Sequence, residues 1–278
     1  MIRNYFNDFS PKSFEPDDLL AEWLDYMNNY PLLKSYCIED YSEDWKRVAI
    51  EKVFTYDRSS FIRMKEVGFL LEEIIEHIQS KAKEFFDCKN IDDIDWIIYH
   101  GLGNGAGGYT SLGNKNVILF GLEKILDLEW DKDKKLNDLV AHEYSHYLHE
   151  TIRASSLESH QDFRTDMIYR LYVEGLATFG ESIMYGRHKS MPDWYDQCVK
   201  KEKLLKVKFK SLLNDENKDI LHFFGDWYPV ENLIEAGYFL GLRMIEQWLK
   251  FSSLNDIMKA PYREIKQVFD DYMNNIKE

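Results

Sequence analysis

The sequence predicts an α+β protein, predominantly α-helical, with one small β-sheet and a helical N-terminal region. Three observations predict it. Segments with apolar residues at helical spacing fill most of the 278 residues. One stretch, Ile94 to Phe120, instead carries two β-rich runs around a glycine-rich loop. The composition, 45% hydrophobic and 15% aromatic, suffices for a sizeable core and excludes a disordered chain. The whole of 1–278 is expected to form a single domain, with 1–90 as the helical N-terminal region and 91–278 as the core that carries the chemistry.

The elements follow in order. Met1 to Pro16 is aromatic, polar and proline-containing, and reads as an irregular arm. Asp17 and Asp18 open a helix with Leu19, Leu20, Trp23, Leu24 and Met27 on its apolar side, and Pro31 is expected to end it. A further segment runs from Ser42 to Phe54, with no element type assigned to it. A long helix starts at Ser59 or Ser60 and reaches about Phe86, with Ile62, Phe69, Leu70, Ile74, Ile78 and Phe85 expected along the buried side; His77 in it reads as a surface or core-edge histidine. Ile94 to His100 reads as a strand and Asn116 to Phe120 as a second, joined by a loop in which five of the ten residues from Gly101 to Thr110 are glycine. That loop lacks the Lys-Ser/Thr ending of a phosphate loop; it reads either as a flexible hairpin or as a loop whose glycines let the backbone come close to an extended peptide. Gly121 to Trp130 predicts a short helix or turn, Asp131 to Ile152 a helix with a charged lead-in, Arg153 to Gln161 a loop, and Asp162 to Tyr185 a second long helix. A helix from Met191 to Leu213, an irregular aromatic stretch from Leu221 to Pro229, an apolar helix from Val230 to Phe251 and two short helices complete the chain, the last starting at Pro261.

The formal net charge is −14, so nucleic acid is not an expected partner: no basic patch is present to neutralise phosphates. Cys37, Cys88 and Cys198 are scattered, in no metal-ligand spacing, and read as reduced thiols. The N-terminus has no apolar signal region, and no apolar run approaches the ~20 residues that span a bilayer. The expectation is a soluble, cytoplasmic protein without a membrane partner.

The chemistry centres on His142-Glu143-Tyr144-Ser145-His146. Residues four apart on a helix share a face, so the two imidazoles can share one metal ion. Glu143 then stands beside a metal-bound water, whose pKa zinc lowers towards neutrality, and can take its proton. Leu139, Val140 and Leu148 can pack the opposite side of the helix. A third ligand is needed. A glycine at 149 and a histidine at 152 would give the metzincin pattern, but the chain has His149 and Ile152. None of the three cysteines lies in a deformylase-like motif. Glu174, 28 residues beyond His146 in Tyr172-Val-Glu-Gly-Leu-Ala-Thr178, fits a ligand on the next helix, packed antiparallel to the first. Gly175 and Ala177 are small, as close packing there requires. Glu158, Asp162, Asp166 and Glu181 are rivals, with a supporting hydrogen bond as a second role for Glu181.

His-Glu-x-x-His followed by Glu-Gly-Leu-Ala resembles the gluzincin peptidases, and is closer still to a bacterial group of predicted zinc-dependent proteases. That group tends to share a glycine-rich loop before an aliphatic strand, here Asn104 to Gly108 and Val117 to Glu123. It also shares a late Gly-Tyr-x-x-Gly helix, here Gly237 to Gly241. The resemblance covers about residues 94–250 and implies a gluzincin-like zincin catalytic domain, with Zn2+ on His142, His146 and Glu174 and Glu143 as general base. Thermolysin-like enzymes place an aspartate four residues after the ligand glutamate; here that position is Thr178. For a donor to the oxyanion, the flanking glycines and the resemblance both point to Tyr238, with His222, Tyr228, Tyr109 and His149 as further candidates.

The expected function is therefore zinc-dependent hydrolysis of a peptide or protein substrate. Two alternatives stay open at this point: a zinc-bound peptide-binding or regulatory module that cleaves weakly or not at all, and a zinc hydrolase of a non-peptide amide or ester.

Overall fold

A computed structural model describes residues 1–39, 41, 43–86, 91–153, 162–186, 192–214, 223–225 and 229–275. The protein is mostly helical with a small mixed sheet, as expected of an α+β chain. It divides into two compact units, Met1–Ser80 with Asn90–Glu143, and Lys81–Lys89 with Tyr144–Glu278. Among the described residues, no helix is long and apolar enough to cross a membrane.

The first unit holds the sheet and the N-terminal helices. The sheet has four strands in the order β1 (Ile2–Asn4), β2 (Asp95–Tyr99), β4 (Lys115–Gly121), β3 (Gly107–Leu112). β1 and β4 run parallel to β2, and β3 runs antiparallel to β4 as the edge. Two expectations are corrected here. The N-terminus is not an irregular arm: Met1 accepts a hydrogen bond from the Trp96 amide and its amino group donates to the Ile94 carbonyl. A 3-10 turn over Tyr5–Asp8 follows and buries Phe6. The sheet also has a strand inside the glycine-rich run. A turn at Gly113, whose φ of +61° suits glycine, joins β3 to β4.

Helices α1 (Pro16–Met27), α2 (Pro31–Glu39) and α3 (Trp45–Lys52) come next. Pro31 does not stop α1 but opens α2, at the first helical position where a missing N–H is harmless. In α4 (Arg58–Phe85) the buried side is Met64, Val67, Leu71, Ile74, Ile75, Ile78 and Ala82. Ile62, Phe69 and Phe85, expected inside, are each about half exposed. Apolar residues occur all round this helix, and its close approach to β1 selects the face. Gly68 lies against Asn4, and Asn4 donates to Glu72 at 2.6 Å. His77 is exposed, as expected.

α5 (Leu122–Asp127) leads to α6 (Asp133–Arg153), which is continuous across the division between the units. The second unit contains α7 (Phe163–Glu181), α8 (Pro192–Leu212), α9 (Ala236–Trp248), α10 (Leu254–Met258) and α11 (Tyr262–Asn274). Asp162 caps α7 by accepting from the Thr165 amide. α9 starts at Ala236, six residues later than expected. Glu231, Asn232 and Glu235 all have positive φ, and Val230 bridges Leu233 in a turn, so the apolar run is not helical from Val230. α7 and α9 meet backbone to backbone. A Cβ on Gly175 would fall within 3.0 Å of Gly241, and one on Gly241 within 3.0 Å of Gly175.

Candidate metal centre

The site is carried by α6 and α7. One turn of α6 stacks His142 over His146, and α7 brings Glu174 to them. Each of the three offers one ligand atom, and these atoms lie within 4.8 Å of one another. Glu174 Oε2 stands 3.5 Å from His146 Nε2. Bonds of about 2.0–2.2 Å in a tetrahedral zinc site put neighbouring ligand atoms roughly 3.3 Å apart, so the spacing fits such an ion. The donor set, two imidazoles and a carboxylate, is also one that zinc accepts. Among the described residues this is the grouping able to hold a metal.

The local packing explains how α7 reaches α6. His149 pairs with Tyr172, His146 with Glu174, and Ser145 with Gly180, whose lack of a side chain admits the serine. The pairings run in opposite senses, so the helices are antiparallel, as expected. Gly175, expected to serve this packing, instead faces α9. Val140 and Leu148 are buried, one half-turn round α6 from the two histidines, whereas Leu139, also expected there, is buried on the Glu143 side against Gly107. The position four residues after Glu174 holds Thr178, whose hydroxyl donates at 2.8 Å to the Glu174 carbonyl within the helix. A threonine there serves the backbone of α7 and leaves the orientation of the ligands to other groups.

Glu143 is tied to the sheet. Its Oε2 accepts the Tyr109 amide of β3 at 3.0 Å. α6 lies this close because Gly107 has no side chain: a Cβ there would meet Leu139 and the Glu143 Cγ. Since the Tyr109 N–H faces Glu143, it points away from β4, and the alternation of an antiparallel ladder turns Gly107 and Ser111 the same way. The rest of the glycine-rich loop has a different use. Glu123 accepts the Gly101 amide at 2.8 Å and the Gly103 amide at 2.9 Å, and Tyr41 donates to the Leu102 carbonyl. The loop is pinned by a buried carboxylate of the protein itself, so these two amides are not open to a ligand.

Tyr238 stands in the first turn of α9, with its ring edge-on to Phe224 at 5.7 Å. Gly237 clears space for that Phe224 ring and Gly241 for Gly175, which gives the Gly-Tyr-x-x-Gly spacing a packing reason. His149 is 1% exposed and its Nε2 lies 3.2 Å from the Tyr172 hydroxyl, which donates to the Ile257 carbonyl. Burial, with Arg153 nearby, pushes its pKa down to about 3. It is a neutral core residue, not one open to substrate. Tyr109 is on the edge strand β3. Glu158, His222 and Tyr228 lie outside the described residues. Asp162 is taken up as a helix cap, and Asp166 and Glu181 fall outside the three-residue cluster.

Two features went unread in the sequence. One is His100, 0% exposed among Phe9, Phe54 and Tyr56, with its Nε2 unpartnered and its pKa lowered by burial. The other is Arg170, four residues before Glu174 and 3.8 Å from it. The spacing of Arg170 to the ligand glutamate was there to be found; nothing marked His100. No protein-family model, no curated protein and no solved structure matches this chain.

Proposed function

We propose that the chain is a zinc-dependent hydrolase of peptide bonds, a metallopeptidase with a gluzincin-like catalytic domain. One observation carries this reading: His142, His146 and Glu174 converge, with Glu143 next to the first of them on the helix. A zinc ion held there would supply a polarised water and a Lewis acid for the scissile carbonyl. Glu143 is the general base, and returns the proton to the leaving amine. The Tyr109 amide holds Glu143 through Oε2, and Oε1 is the oxygen proposed to take the proton. Tyr238 is the hydroxyl proposed to donate to the oxyanion.

The substrate is an extended peptide or protein segment. The support is β3, an edge strand beside Glu143, since a sheet edge can take an extended peptide as a further strand. The edge takes this role in place of the pinned loop before it. The test is cleavage of a peptide library by wild type and by Glu143→Gln. The variant should lose on the order of 10²–10⁴-fold in rate with zinc content unchanged. Full activity in the variant contradicts the assignment.

A further inference from the structure

We infer that Arg170 is a positioning residue for the metal centre: it holds Glu174 as a one-oxygen ligand and thereby sets the affinity of the site for a divalent cation. This rests on the reading of His142, His146 and Glu174 as a metal site. Arg170 and Glu174 stand one turn apart on α7. The two oxygens of Glu174 are divided: Oε2 faces His146 at 3.5 Å, while Oε1 faces the Arg170 Nε at 3.8 Å.

An i,i+4 pair on a helix is ordinarily a solvated surface contact of little consequence. Three observations separate this one from that case. The carboxylate is buried, with Glu174 9% exposed. The Arg170 Nε is itself sealed from solvent and has no hydrogen-bond partner among the described residues. The guanidinium is seated over the Phe224 ring, 5.3 Å from its centroid, and that ring is fixed in turn by Gly237 and Tyr238. A buried N–H whose near neighbour is one carboxylate oxygen has that oxygen as its natural acceptor. At 3.8 Å the bond is not yet made, and a shift of about 0.9 Å in either side chain would bring it to the usual 2.9 Å. A cation beside Oε1 also opposes the swing that would bring both oxygens to the metal. Arg170 therefore supplies what the aspartate absent at position 178 does not: a charged group that orients a ligand from behind.

The experiment is chelator competition for zinc, read together with the melting temperature of the metal-free protein. Variants are Arg170→Met, which keeps the apolar stem over Phe224, Arg170→Lys, Glu174→Gln, and the double variant of Met and Gln. Arg170→Met should weaken zinc binding 10–100-fold with the metal-free melting temperature unchanged, and Arg170→Lys should recover part of the loss. In the Glu174→Gln background Arg170→Met should cost no further affinity, because its effect passes through that carboxylate. Wild-type affinity in Arg170→Met overturns the proposal while leaving the metal site standing. Additive losses in the double variant, or a loss that follows a fall in the metal-free melting temperature, also overturn it. A wild-type protein that binds no zinc overturns both this inference and the function it rests on.

Discussion

The candidate metal centre on α6 and α7 and the aromatic surroundings of His100 set the same residue type to opposite ends. His146 is partly open, with a carboxylate oxygen 3.5 Å from its Nε2. His100 is 0% exposed among aromatic rings; its Nδ1 donates to the Gly101 carbonyl at 2.9 Å, and its Nε2 meets no hydrogen-bond partner among the described residues. At the first site the surroundings favour a ligand for a cation. At the second they favour an uncharged imidazole, because burial penalises the charged form more than the nearby Glu123 supports it. A histidine in this chain is therefore defined by its neighbours: a carboxylate and partial access make a candidate ligand, and closure by rings makes a core residue.

That contrast can be broken at Glu123, which links the His100 region to the glycine-rich loop. Glu123→Ala leaves the Gly101 and Gly103 amides without their acceptor, at a cost of about 2–4 kcal/mol for the two. Urea unfolding should show that loss, while zinc affinity stays at the wild-type value. A large fall in zinc affinity with little change in stability would mean that the loop belongs to the metal centre rather than to the fold.

A smaller effect sharpens the comparison through pH. His100 and His149 both have folded pKa values below the unfolded value near 6.5, His149 at about 3. As pH falls below 6.5 the unfolded chain takes up these protons first, so stability is fully present above that pH. It declines on acidification by about 1.4 kcal/mol per unit for each buried histidine, down to its folded pKa. His100→Gln and His149→Gln should each flatten the decline measured by urea unfolding between pH 7 and pH 5. An unchanged slope in both variants contradicts the account of these residues as neutral core groups.

The site was more legible in the sequence than the fold that carries it, and the reason is range. His142, Glu143 and His146 lie within one turn of a helix, where spacing alone fixes which side chains meet. Glu174 was readable because its small neighbours marked a packed helix, although Gly175 proved to serve α9. The pairing of β1 with β2 joins residues more than ninety positions apart, and nothing local in Ile2–Asn4 signals it. β3 was hidden because glycines carry no alternation of side chains. The face of α4 could not be read because Ile62, Phe69 and Phe85 are apolar and outside. The spacing of Arg170 to Glu174 is local and legible, but the Phe224 ring beneath its guanidinium is 54 residues on and is not.

The most direct test of the central claim is a crystal structure of zinc-replete protein with anomalous data at the zinc edge. The account predicts one zinc peak about 2.0–2.2 Å from a nitrogen of His142, a nitrogen of His146 and Oε2 of Glu174. No zinc between these three side chains, or zinc held elsewhere in the chain, would contradict it.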